Sequence, residues 1–370
     1  MTLKFSRRSV LAGAAAAGTA LAMPNIVRGQ QTGVVNLLGA SQFFPQSIRD
    51  RFLAETGILV QYRQGTTDAS QTFNLLASEG TRETDIVLTY GHRNFPFIAA
   101  GYFEEFDEDR LPSLNKINPV YLNSPAQLVD GVRYGIPVAA GFMLSVFRKD
   151  AVPEDQRDSW EPVFGDAHAG RLAWRSGGLP LAVIHYLGIS DAWWNFENTP
   201  EGAAAVEDML KEVVAWTGAN KHKILKWYET SAEVQQLFYG NEIDAAFALT
   251  DMAMPLVASD PEAFGRAIPK EGVHGFHANY SITNGAPHRD DAYRFIEFML
   301  NQPDANGEMI RSAGGVSTMI DSAAGLTEEE AALYAFTDEE LSRINWLSVL
   351  SAEDPRFPLM DQYVAMLKEA

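Results

Sequence analysis

The chain has 370 residues, with 48 acidic side chains against 29 lysines and arginines, a formal net charge of -19 and no cysteine. So acidic a surface repels phosphate backbones and anionic headgroups, which argues against nucleic acid and membrane surfaces as partners. The cysteine count excludes disulfides, thiolate zinc sites, cysteine nucleophiles and a lipid anchor on a cysteine, and the length exceeds what one hydrophobic core organises, so two lobes are expected.

The first segment reads FSRRSVLAGAAAAGTALAMP. Arg7 and Arg8 precede an uncharged run of small and apolar residues that ends in Ala20-Leu21-Ala22, the order of a cleavable export signal. The run is too short to span a bilayer as a mature helix. Ser6-Arg7-Arg8-Ser9-Val10-Leu11 resembles a twin-arginine tag, which exports folded proteins. Residues 1–22, or as far as Gly29, are therefore expected to be removed, leaving a periplasmic protein. Nothing later reaches membrane-spanning length, so no direct membrane insertion is expected.

From Gly33, VVNLLGA is an apolar run of strand length, followed by a helix over 45–57 with Ile48, Phe52 and Leu53 at helical spacing and Gly57 as its stop. A strand from Ile58, a helix over 69–78 and a strand over 84–91 follow. This βαβαβ order with apolar strands predicts a parallel sheet covered by helices, an α/β fold. Ligands of such sheets bind beyond the carboxyl ends of the strands, which singles out Ser41 to Phe44 and Tyr90 to His92. The stretch from Arg133 to Asp150 has no helical period and is expected to cross between lobes. A second α/β region follows, with RLAWRSGG, a helix ending in HYLG, a long helix from Pro200 and EIDAAFALTD. FHANYSITNGAP from Phe276 is expected to return the chain to the first lobe. The boundaries expected are 30–138 for lobe 1, 139–275 for lobe 2, and 276–370 for the return and C-terminal helices, where Thr327 and Thr337 begin helices as N-caps. Gly314 and Gly315 are expected in a tight turn.

In order and spacing, the segments PQSIRDRFLAETGILVQY, TDIVLTYGHRNFPFIAAGYFEEFD, RYGIPVAAGFMLSVFRKDAV, YGNEIDAAFALTDMAM, IPKEGVHGFHANYSITNGAPHRDDAYRFIEFMLNQPDA and SAGGVSTMID resemble the extracytoplasmic solute-binding proteins of ABC importers, specifically the spermidine/putrescine-binding branch. The resemblance implies two α/β lobes joined by two crossovers and closing on one small polar solute, a polyamine or a related amine or zwitterion. It implies a membrane permease as partner, no cofactor and no catalysis. The protein is expected to diffuse as a monomer.

Position by position, the resemblance brings Phe43 and Phe44, then Tyr90 and His92, to the ligand, with one of the two phenylalanines expected in the core by alternation. In the second lobe the polyamine pattern places acids where this chain has Trp174, Arg175 and Ser176. An arginine there repels a diammonium ligand and grips a carboxylate, sulfonate or phosphonate. Asp251 keeps an acid, Asn279 stands near a family aspartate beside His277, and Trp227 is a candidate for ring stacking. Trp193, Trp194 and Trp216 are expected to pack in helices. Two further readings stay open. His274 and His277, with His92 and Asp251, form the alternative of an iron-type metal site, and a periplasmic enzyme is disfavoured because no nucleophile elbow, H-E-x-x-H helix or phosphate-binding glycine loop is present.

Overall fold

In the computed structural model, which describes residues 31–65, 69–334, 336–348 and 354–367, the first apolar runs form β1 (Gly33–Gly39), β2 (Ile58–Gln64) and β3 (Ile86–Tyr90). The export tag expected at residues 1–29 lies outside the described residues. β1 runs parallel to both neighbours, with Val35 beside Val60 and Leu37 beside Ile86. Helix α1 (Gln46–Thr56) buries Ile48 and Phe52 and ends at Gly57, whose φ of 73° is the left-handed conformation that glycine enters without a Cβ clash. α2 (Ala69–Glu79) carries the chain on toward β3.

The second half repeats this arrangement. β4 (Ile136–Arg148) enters it, and β5 (Leu172–Trp174) lies between β6 (Ile224–Trp227) and β7 (Ala245–Leu249), parallel to both. Helices α3 (Leu179–Leu187), α4 (Pro200–Asn220), α5 (Ser231–Tyr239) and α6 (Thr250–Ser259) connect them. After β8 (Phe264–Ala267), β9 (Val273–Ile282) returns to the first half.

β4 and β9 join the two sheets into one, in the order β2-β1-β3-β9-β4-β7-β5-β6. β4 has 13 residues, and at about 3.3 Å per residue it is about 40 Å long. Its first part pairs antiparallel with β9, Gly141 beside Phe276, and its second part antiparallel with β7, Met143 beside Leu249. The sheet is therefore mixed rather than wholly parallel. The crossing segments are buried along most of their length, and ladder pairing satisfies the N–H and C=O groups of their buried backbone.

Beyond β9, α7 (Arg289–Asn301) and α8 (Pro303–Ala313) cover the first half, and Gly314 closes α8 with a φ of 65°. Further on, Thr337 caps the short helix Asp338–Ser342 in a capping box with Glu340, as its position in the sequence predicts. The last helix, α9 (Arg356–Leu367), leans on the second half, where Arg356 donates to the Trp193 carbonyl at 2.8 Å and the Tyr363 hydroxyl donates to Glu207 at 3.1 Å. It also meets the first half, because the Arg93 guanidinium stands 4.1 Å over the Phe357 ring and 4.0 Å from the Asp361 carboxylate.

Aromatic rings fill both interiors. Phe44 stacks on Tyr280 at 5.1 Å in the first, and Trp174 stacks on Trp216 at 5.6 Å in the second. Phe43 and Phe44 are both buried, because residues 41–43 form a helical turn instead of continuing the strand and alternation does not separate the pair; Phe44, the deeper of the two, packs in the core and not in the cleft. Trp193 packs as predicted, fully buried.

Candidate functional site

A cleft of 580 Å³ opens where the carboxyl ends of the strands from the two halves face each other. β3 ends in Tyr90 and leads to His92 and Arg93. β5 ends just before Arg175, Gly177 and Gly178, which precede α3. β7 ends in Leu249, and Asp251 sits in the first turn of α6. β9 contributes His274 and Phe276, and α9 closes one side with Phe357, Met360 and Asp361.

Two kinds of surface meet here. One is aromatic: Phe276 presents its ring edge-on to Tyr90 at 5.2 Å and lies 6.2 Å from His92, which in turn lies 5.5 Å from Phe357. Such a cage suits an alkyl chain and, by its ring quadrupoles, an attached ammonium. Burial, then Arg93, then His277 hold the His92 pKa well below its ordinary value, so the ring is neutral at pH 7 and adds no repulsion to a cation. The other surface is charged. Asp251 opens onto the cleft, and the surrounding protein raises its pKa while Arg175 opposes the rise. Arg175 donates from Nη1 to the Gly177 carbonyl at 3.3 Å, and its Nε is buried without a partner.

Of the residues singled out in the sequence, the structure brings Tyr90, His92, Arg175, Asp251 and His274 together at this cleft. Phe43 lines a smaller cavity behind it, shared with Tyr90, Asp251 and Phe276. The others are placed elsewhere. Trp174 is fully buried, donating from Nε1 to the Val163 carbonyl at 2.9 Å, because the last residue of β5 points into the core and only the next one reaches the cleft. Ser176 is buried beside Glu229, at 3.4 Å, and Trp227 stands edge-on to Trp174 at 6.0 Å.

His277 and Asn279 lie on the reverse face of β9. His277 stacks on Trp346 at 4.3 Å and burial lowers its pKa to about 3. Asn279 is wedged between Gly91 and Gly135, where any Cβ would come within 2.7 and 2.6 Å of its Nδ2. The alternation of a strand explains the displacement: residues 274 and 276 share one face, and 277 and 279 share the other. By the same parity His274 and His277 diverge, so the metal pair does not converge. Among the described residues no group of three or more His, Asp or Glu side chains could hold a metal ion.

Phe276, Phe357 and Asp361 were not singled out. The apolar alternation His274, Phe276, Ala278, Tyr280 was the available signal for the first. Nothing local in the sequence ties α9 to a cleft formed by strands that all end more than seventy residues earlier.

The sequence matches the family profile described as bacterial extracellular solute-binding protein over residues 36–305. It is 25% identical over 282 residues to the putrescine/agmatine-binding protein of Pseudomonas aeruginosa, covering 72% of this chain and 73% of that one. It is 21% identical to spermidine/putrescine-binding periplasmic protein 1 of Haemophilus influenzae, with 80% and 79% covered. The crystal structure of the spermidine/putrescine ABC transporter substrate-binding protein of Streptococcus pneumoniae superposes with a TM-score of 0.72 at 16% identity, covering 91% of this chain and 99% of that one.

Proposed function

The chain belongs to the bacterial extracellular solute-binding proteins, and from that premise we propose that it captures a small amine-bearing solute in the cleft and delivers it, chemically unchanged, to an ABC permease. The observation that carries this reading is the cleft itself, in which an aromatic cage from β3 and β9 faces Asp251 from the second half. Relatives whose names specify putrescine, agmatine or spermidine support an amine as cargo.

A solute touching both halves binds the closed arrangement better than an open one and so shifts the population toward closure. We take the lobes to run over 30–138 and 139–275, with the rest of the chain returning to the first lobe and α9 reaching across. We further assign residues 1–22 as a twin-arginine export tag, the periplasm as the place of action, and a monomer as the working form. Among the described residues no helix is long and apolar enough to cross a membrane.

Thermal-shift titration of ligand-stripped protein against putrescine, spermidine, amino acids, betaines, sulfonates and phosphonates tests the reading, since a tight ligand raises the melting temperature by mass action. The compound that binds should be recovered intact in one-to-one ratio; turnover would replace the binding role by an enzymatic one. Phe276→Ala removes the ring at the centre of the cage and is expected to weaken that ligand roughly tenfold or more by calorimetry, at about 1.4 kcal/mol per decade. An unchanged affinity would take Phe276 out of the site.

A further inference from the structure

Arg175 lines the cleft of an acidic chain without a carboxylate to hold it. Carboxylates are abundant, yet Arg175 forms no ion pair among the described residues, and its buried Nε has no partner. Asp251 is near enough to be felt electrostatically but does not reach ion-pair distance. The guanidinium instead folds over Gly177, whose added Cβ would lie 3.1 Å from Nη1.

The backbone beside it is equally unfilled. Gly177 and Gly178 precede the nine-residue helix α3, line the cleft, and donate no backbone hydrogen bond from their amides among the described residues. Gly178 adopts a φ of 83°, and a Cβ there would strike Met143 at 2.6 Å, so the backbone stays bare at the point where the positive end of the helix meets the cleft. A separate group points to the same spot. His274, 5% exposed and on a different strand, lines the cleft with its Cε1 3.7 Å from that Cβ position, and its Nδ1 is buried without a partner.

We propose that Arg175, the amides of Gly177 and Gly178, and His274 Nδ1 form a seat for an anionic group, a carboxylate, sulfonate or phosphonate, carried by the same solute whose ammonium faces Asp251. This rests on the cleft being the solute site. All of these groups are donors, with Nδ1 bearing the proton in one neutral tautomer, and together they fit oxygens of a planar or tetrahedral anion. An ammonium placed here would meet a guanidinium and a helix's positive end. The cleft therefore selects a zwitterion over a diamine of the same length.

The test is calorimetry on ligand-stripped protein with putrescine, 5-aminopentanoate, taurine, 2-aminoethylphosphonate and inorganic phosphate, using wild type, Arg175→Gln and Arg175→Glu. In parallel, mass spectrometry identifies whatever small molecule unstripped protein releases on denaturation. At least one amine carrying an anionic group is expected to bind tenfold or more tighter than putrescine. That advantage should vanish in Arg175→Gln, while the stripped variant keeps the wild-type melting temperature and circular dichroism. Arg175→Glu should reverse the order and favour putrescine. If putrescine binds wild type at least as tightly as every zwitterion, the anion seat is wrong and the amine-binding reading survives. Phosphate binding as tightly as the zwitterions would mean that the seat holds a free anion, which overturns the two-headed ligand. If nothing in the panel binds and no amine is released, both readings fall.

Discussion

Taking the ligand-free protein from pH 7 to pH 5 is expected to remove about 2 kcal/mol of stability for each of His185 and His277. Burial lowers the pKa of His185 to about 4 and that of His277 to about 3, against an ordinary value of 6.5. Their folded pKa values thus lie below their unfolded ones, so the unfolded chain takes up protons first as the pH falls. The contribution is intact above about pH 6.5 and is lost progressively toward pH 4 and pH 3. His274 shifts in the same direction for the same leading reason, with His185 and His92 adding repulsion. Urea unfolding at half-unit pH intervals should show a steep fall below pH 6.5, and His277→Phe, which keeps a ring against Trp346, should make that fall shallower. A flat profile between pH 7 and pH 5 would mean that these rings are not buried in the neutral form.

Trp174→Ala is expected to destabilise the protein by about 3–5 kcal/mol, the range for emptying a large buried aromatic site. The ring stacks on Trp216 and meets Phe164 edge-on at 5.7 Å, and its loss also leaves the Val163 carbonyl without its donor. The milder Trp174→Phe retains most of the packing and loses chiefly the hydrogen bond. It should lower the unfolding free energy by less than half as much and leave solute affinity within a few-fold. Chemical denaturation and calorimetry on the same preparations separate the two effects. A variant that stays stable yet loses its ligand would restore Trp174 to the cleft.

Much of the fold was legible because its signals are local. Gly57 ends α1 where glycine must, Thr337 caps its helix through Glu340, and the apolar runs at 33, 58 and 86 are strands. The cleft was legible at Tyr90 and His92 because a strand simply ends there, and at Arg175 and Asp251 through the resemblance. It was misplaced where a side chain's direction depends on strand parity. Along β9, His277 and Asn279 stand an odd number of residues, three, beyond His274 and Phe276 and so face the other way, and a shift of one at the end of β5 exchanges Arg175 for Trp174. Phe357 and Asp361 depend on α9 packing against α4, a contact between segments over a hundred residues apart that no short window of sequence contains.

β4 and β9 also dictate when the molecule can fold. β3 has its outer partner only once residues 273–282 exist, and β9 itself is flanked by β4, so the N-terminal sheet stays incomplete until about three quarters of the chain has been synthesised. An emerging N-terminal half therefore presents an open, apolar sheet edge to its surroundings. Until β9 has been made, that edge is free to pair with another strand instead of its own.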